Sequence, residues 1–169
     1  MSDVQEPKAA AKSARSAPED EFVFVDAEWS LKQSFRRDPL QMPFLAGLKE
    51  KRLLGVRDPV RNLVMFPPRS FAEESFSEMS ELVPVGPGGV IRTLTRVIPG
   101  GKEPRPPFLV VFVQLDGAYA AAAGALRGPG SDVADPLSLI GRRCNAVFKP
   151  EPEGAWTDFW YQLEEGATA

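Results

Sequence analysis

The chain has 169 residues, 43% of them hydrophobic and 25% charged, and its 20 basic and 23 acidic side chains leave a net charge of −3. These are the values of a folded, water-soluble protein. No apolar run approaches the roughly 18 residues that span a bilayer, so a membrane-spanning role is excluded and the cytoplasm is the expected location. There is no histidine, and Cys144 is the single cysteine. A disulfide within the chain is therefore impossible, as suits a reducing compartment. The usual acid–base group of neutral pH, an imidazole with a pKa of about 6.5, is missing too. A metal site would have to be built from carboxylates alone.

Residues 1–21, rich in Ala, Ser, Lys, Glu and Asp, read as a disordered leader without the apolar core of a secretory signal. Residues 22–56 read as an N-terminal helical segment. It opens on the apolar Phe22 to Val25 and Trp29, then places Leu31 and Phe35 four apart, on one helix face. After the break at Asp38-Pro39, Pro43 suits the first turn of a helix through about Leu54, with Phe44, Leu45 and Leu48 inward and Gly55 as its stop. In residues 57–79, Leu63 to Phe66 forms a short strand ending at Pro67-Pro68. Residues 80–165 are strand-like. Val90 to Ile98 follows the turn signal Gly86-Pro87-Gly88-Gly89, and Phe108 to Leu115 is an apolar run expected to be buried on both faces or nearly so. Tyr119 to Leu126 (YAAAAGAL) is helical by propensity. Its place after Asp116-Gly117 and between strands makes it a barrel strand whose alanines leave room for close packing. Arg143 to Phe148 alternates, and so does Ala155 to Leu163, where Trp156, Asp158 and Trp160 share one face. Short strands with Gly/Pro punctuation predict a small barrel or sandwich.

Charge is unevenly spread. Residues 1–31 carry three basic and seven acidic side chains, residues 32–69 nine and three, and residues 70–169 eight and thirteen. The basic middle suits a phosphate-bearing ligand or an acidic partner; solvated helix faces account for it equally well.

Five stretches in this order, KEKRLLGVRD, FPPRSF, PPFLVVFVQLDGA, LIGRRCNAVFKPE and WTDFWY, resemble the zinc-ribbon/OB-fold proteins of bacteria and archaea. That family is often called acyl-CoA-associated and was long catalogued as a domain of unknown function (number thirty-five). The likeness runs from Phe44 to Tyr161. It implies a mainly β chain with N-terminal helices, in which a ribbon (57–79) precedes an OB-type β-barrel (80–165). In the family two C-x-x-C pairs bind a structural zinc. The matching positions here are Asp58 and Arg61, then Ala72 and Ser75. The spacing survives without the four thiolates, so the resemblance implies a ribbon remnant that binds no metal. An Asp58–Arg61 ion pair and a satellite core of Leu63, Met65, Phe66, Phe71 and Phe76 are the expected replacements.

The family also implies a role: a non-catalytic accessory subunit of a thiolase-like complex, whose partner chain supplies the nucleophilic cysteine and the histidines. The complex would be a thiolase, an acyltransferase or an aldolase acting on acyl-CoA, with no tightly bound cofactor on this chain. Arg69 has the planar fork to hold a CoA phosphate or a partner carboxylate, or simply to form a salt bridge. Lys102 and Arg105, on the Gly/Pro-rich loop, are candidates for the entrance of the pantetheine phosphate, and a solvated loop is the plainer reading. Cys144, in an alternating strand and with no histidine to activate it, reads as a buried small hydrophobe. Trp156 and Trp160 mark either a partner surface or the closure of the barrel. An OB barrel also admits a second function, single-stranded nucleic-acid binding on aromatics in a basic groove. The barrel region is net acidic, however, and the Arg92 to Arg96 stretch carries no interleaved aromatics.

Overall fold

The computed structural model describes residues 30–36, 38–100 and 106–164. The chain divides into two units, Met1–Phe35 and Arg36–Ala169. In the first, only residues 30–35 are described, and they form no helix, contrary to the Leu31/Phe35 spacing. The leader, the Phe22 to Val25 patch and Trp29 lie outside the described residues.

The second unit opens with helix α1 (Gln41–Lys49). Its start is tied down by Asp38, whose Oδ1 accepts the Leu40 N–H at 2.8 Å while Oδ2 accepts the Ser70 N–H and hydroxyl at 2.9 and 2.7 Å. The helix stops short of Leu54, the expected end. Lys51 takes the left-handed conformation (φ 59°), Arg52 N–H reaches Gly47 O at 2.8 Å, and Lys51 N–H reaches Leu48 O at 2.9 Å. This is a Schellman cap built on lysine instead of glycine. Gly55, expected as the stop, lies in strand β1 (Leu54–Arg57), where a Cβ would come within 2.9 Å of the Met65 carbonyl.

Strand β1 pairs with β2 (Val64–Met65) and β5 (Leu82–Pro84), while β3 (Phe71–Ala72) and β4 (Ser77–Glu78) make a separate hairpin. The barrel follows: β6 (Gly88–Val97), β7 (Phe108–Leu115), β8 (Ala121–Leu126), β9 (Arg143–Phe148) and β10 (Phe159–Leu163), closed in the order β10-β8-β7-β6-β9. Strand β6 pairs with β7 along its length and lends Gly88–Val90 to β9. A bulge between Ile91 and Thr93 lets one strand serve both neighbours, since the extra residue bends it and increases its twist. The described residues are thus mainly β, with one α-helix and an OB-type barrel.

Leu109, Val111, Val113 and Leu115 point into the barrel beside Ile91, Leu126, Cys144 and Tyr161. Phe108 and Phe112 point out and remain partly exposed. The apolar run is therefore buried on one face, not two. Of the YAAAAGAL segment Ala121–Leu126 is a strand, after a bend at Tyr119 and Ala120, and its small residues matter inside as well: a Cβ on Gly124 would sit 2.6 Å from the Tyr161 ring. Before β10 the chain makes a 3-10 turn (Trp156–Asp158), so the alternation read from Ala155 begins only at Phe159. Trp156 stacks on Phe44 (centroids 4.8 Å apart) and lies near Phe66 (6.5 Å), which joins helix α1 to the barrel.

Candidate functional site

The four positions that the sequence resemblance matches to C-x-x-C pairs lie in two turns, each followed by a left-handed residue. Asp58 and Arg61 are followed by Asn62 at φ 55°, and Ala72 and Ser75 by Phe76 at φ 50°. Asp58, 3% exposed, is the hub. Its Oδ1 accepts the N–H groups of Val60 and Arg61 at 2.8 and 3.2 Å. Its Oδ2 accepts the Ser75 hydroxyl at 2.8 Å, Ser77 lies 3.4 Å from Oδ1, and the two serine oxygens are 2.7 Å apart. One carboxylate thus holds its own turn and fastens the second. Burial works against its charge, but the N–H and hydroxyl donors outweigh burial and hold the pKa below the usual aspartate value.

The family's zinc does not fit these residues. Asp58 already spends its oxygens on donors, Ala72 offers a methyl group, and Arg61 forms its ion pair with Glu74. Among the described residues no three Cys, His, Asp or Glu are grouped to hold a metal. The expected Asp58–Arg61 ion pair is not made: the aspartate takes the arginine's backbone N–H, and the guanidinium turns to Glu74 and lies 5.5 Å from the centroid of the Tyr119 ring. The satellite core differs as well. It consists of Leu40, Val56, Ala72 and Met79 with Met65 and Leu82 against them. Phe66 joins the main core, and Phe71 and Phe76 are exposed. Sequence spacing located the two turns, but Ser77 lies outside the C-x-x-C register and gave no signal.

Four of the nine basic residues in the middle are paired with acids close by: Arg52 with Glu50, Arg57 with Glu81 (3.4 Å), Arg61 with Glu74 and Arg69 with Glu73 (3.9 Å). Such exposed pairs contribute about 0–1 kcal/mol each, but they leave less free positive charge than the sequence suggests. Arg69 is half exposed in its pair, while Lys102 and Arg105 lie outside the described residues. The flanks of their loop, Pro99, Pro106 and Pro107, line an open slot of about 420 Å³ with Phe108, Leu126 and Arg127.

Within the barrel, Cys144 is fully buried, and burial pushes its thiol up to about 12, so it carries no thiolate at neutral pH. The Tyr161 hydroxyl is buried with no hydrogen-bond partner among the described residues. Asp158, read as sharing one face with the two tryptophans, is completely buried. Its Oδ2 accepts the N–H groups of Glu153, Gly154 and Ala155 at 2.6–2.9 Å, and Lys149 Nζ lies 2.8 Å from Oδ1. Burial opposes its charge, yet Lys149 and the backbone donors bring the pKa down to about 2. Trp160 is half-buried, with Arg127 5.4 Å from its ring centroid.

Outside the barrel, directly paired residues share a face. Thr93 and Thr95 on β6, Phe108, Val110 and Phe112 on β7, and Ala123 and Ala125 on β8 therefore form one outer surface whose own residues are uncharged, with Arg92 on Gln114 at one edge and Arg127 at the other. Arg92, in the bulge, donates to Gln114 at 2.8 Å, and Arg96 donates to the Val133 carbonyl at 2.9 Å.

These features define a closed OB-type barrel preceded by a two-turn module fastened at one aspartate. No protein-family model matches the sequence, and no curated protein matches it. Solved structures do share the fold. A protein of unknown function from the DUF35 family of Sulfolobus solfataricus has a TM-score of 0.57 over 75% of this chain and 86% of that one, at 14% identity. The Ltp2-ChsH2(DUF35) aldolase has a TM-score of 0.55 over 78% and 97%, at 16% identity. The fold of this chain is that of the DUF35 proteins.

Proposed function

We propose that this chain is a non-catalytic accessory subunit of a thiolase-like complex (thiolase, acyltransferase or aldolase) acting on acyl-CoA thioesters. The observation that carries the reading is the outer face of β6, β7 and β8, whose centre holds Phe108, Val110, Phe112, Ala123 and Ala125 with two threonines, and whose charges, Arg92 and Arg127, lie at its edges. An antiparallel sheet face left to water is ordinarily polar, and a patch in which aromatic and aliphatic residues outnumber two threonines has the composition of an interface core. The shared fold with the Ltp2-ChsH2(DUF35) aldolase supports an assembly of this kind. So does the chemistry of the chain, which has no histidine and whose one thiol is buried and protonated. In the complex the partner supplies the nucleophile and the acid–base groups. This chain stabilises the partner and forms part of the acyl-CoA channel, with Arg69, Lys102 and Arg105 toward the CoA phosphates. The Asp58 hub stands where the family's zinc would, and the module needs no metal.

The test is co-expression with a thiolase-like chain, chosen from reading frames that neighbour this one. The expected result is a stable hetero-oligomer that turns over an acyl-CoA thioester only when both chains are present. Lys102→Ala and Arg105→Ala should raise KM for the CoA thioester and leave that for the pantetheine thioester unchanged. A monomer that ignores the thiolase-like chain and binds oligonucleotides at physiological salt would overturn the reading.

A further inference from the structure

The slot beside Arg127 belongs neither to the hub nor to the barrel core. Its walls are Pro99, Pro106, Pro107, Phe108, Ala125 and Leu126, and among the described residues its one polar member is Arg127. A volume of about 420 Å³ lies within the range of small-molecule sites. So does the composition, apolar walls with a single placed polar group.

Arg127 is held in place and left uncommitted. Its backbone N–H donates to the Tyr161 carbonyl at 2.8 Å, on the seam that closes the barrel, and its guanidinium lies 5.4 Å from the ring centroid of Trp160 on β10. The indole quadrupole orients the cation and leaves its N–H donors available to an acceptor. Among the described residues no carboxylate or carbonyl takes those donors. Arg57, Arg61, Arg69 and Arg143 each lie beside an acid, while Arg92 and Arg96 donate to Gln114 and the Val133 carbonyl.

The neighbouring recesses lack this combination. The one across Phe108 and Leu126, about 340 Å³, holds both signs, Arg96 and Asp132. In the groove beside Tyr119 the arginine is Arg57, already tied to Asn62 and Glu81. The recess between β9 and β10 carries Glu164.

We propose that the slot beside Arg127 binds an apolar molecule with one terminal anionic group. The apolar body lies against Pro107, Phe108 and Leu126, where leaving water supplies affinity. The anion meets the Arg127 guanidinium, whose planar fork matches two oxygens of a carboxylate or a phosphate and fixes the orientation. Every group in the site is this chain's own, so it stands or falls separately from the subunit reading.

The test is titration calorimetry of the full chain with decanoate, decyl phosphate and decanol, which share one alkyl chain and differ in head group. Decanoate or decyl phosphate should bind at least tenfold more tightly than decanol, and the tighter of the two identifies the head group. Arg127→Gln should keep the wild-type Tm and bind the anion no better than decanol. Ala125→Leu, which fills the slot from β8, should weaken all three. The bound anion draws the guanidinium off Trp160, so tryptophan emission should change on binding in wild type and stay constant in Trp160→Phe. Equal affinity for decanol and decanoate, or undiminished binding in Arg127→Gln, would mean that no anion is read there. Phosphopantetheine bound as tightly as decanoate would mean that the apolar body is not read. If neither anion binds wild type at about 1 mM, the site does not exist.

Discussion

Tyr161→Phe is the substitution that most directly asks whether the barrel interior is core or binding site. The Tyr161 ring packs against Gly124 and meets Phe159 edge to face, 5.8 Å between centroids, and the side chain is fully buried. Only its hydroxyl lacks a partner among the described residues. A buried hydroxyl without a hydrogen bond costs about 1–3 kcal/mol. Removing the oxygen leaves the ring contacts in place, so stability should rise by that amount. At about 2–4 °C per kcal/mol for a chain of this size, Tm rises by roughly 2–12 °C. Burial also raises the phenol pKa above its ordinary value of 10.0. Above that pH the unfolded chain releases a proton that the folded chain keeps, so wild type loses stability as pH climbs past about 10. The phenyl ring of the variant has no proton to release, and its advantage should widen there. Calorimetric melts at pH 7 and at about pH 10.5 read both effects. A lower Tm for Tyr161→Phe would refute the reasoning and mean that the hydroxyl is satisfied by a buried water or a bound group.

Three further outcomes follow from the hub and the barrel. Asp58→Ala should lower Tm at pH 7. Because the folded pKa of Asp58 is depressed, its contribution is fully present above the ordinary value of 3.8 and drains away as pH falls below it. The gap between wild type and variant should therefore close in melts taken from about pH 5 down to about pH 2.5; a constant gap would show that the charge is not what matters. Gly124→Val places a branched side chain against the Tyr161 ring, where even a Cβ would lie at 2.6 Å. Overpacking of this kind costs about 1–3 kcal/mol, seen as a lower midpoint in urea, and an unchanged midpoint would mean that the ring moves freely. Cys144, buried and protonated, should react with iodoacetamide at pH 8 only after denaturation; modification at native rates would contradict its placement.

Local pattern carried much of the barrel. Phe108–Leu115 and Arg143–Phe148 have the bounds that the sequence suggests, because apolar runs between Gly/Pro turns constrain strands strongly. YAAAAGAL is a strand because its neighbours on both sides pair with it, which overrides alanine's helical preference. What the sequence hid was non-local or conformational. A left-handed lysine that ends a helix leaves no compositional trace, so Gly55 looked like the better stop. The hub joins Asp58 to serines 17 and 19 residues away, and no periodicity predicts such bonds. The ion pair assigned to Arg61 went to Glu74 for the same reason. Of the candidate CoA contacts, Arg69 already has Glu73 beside it, and the turn that presents Phe76 reads in sequence only as polar text with phenylalanines in it.

The closure of the barrel has a consequence for how the protein is made. Its last seam joins β10 to β8 in parallel, Tyr161 opposite Leu126, and β9 reaches back across the intervening strands to the start of β6, Asn145 opposite Gly88. On the ribosome, β6, β7 and β8 emerge first as an open three-stranded sheet, with the inner row from Leu109 to Leu115 still facing water. Until Leu163 has cleared the exit tunnel that row has no cover, and such a nascent sheet is prone to capture by other chains. The outer face of β6, β7 and β8 is present from the same moment, so a chain that docks on it could be met during synthesis, before the barrel is complete.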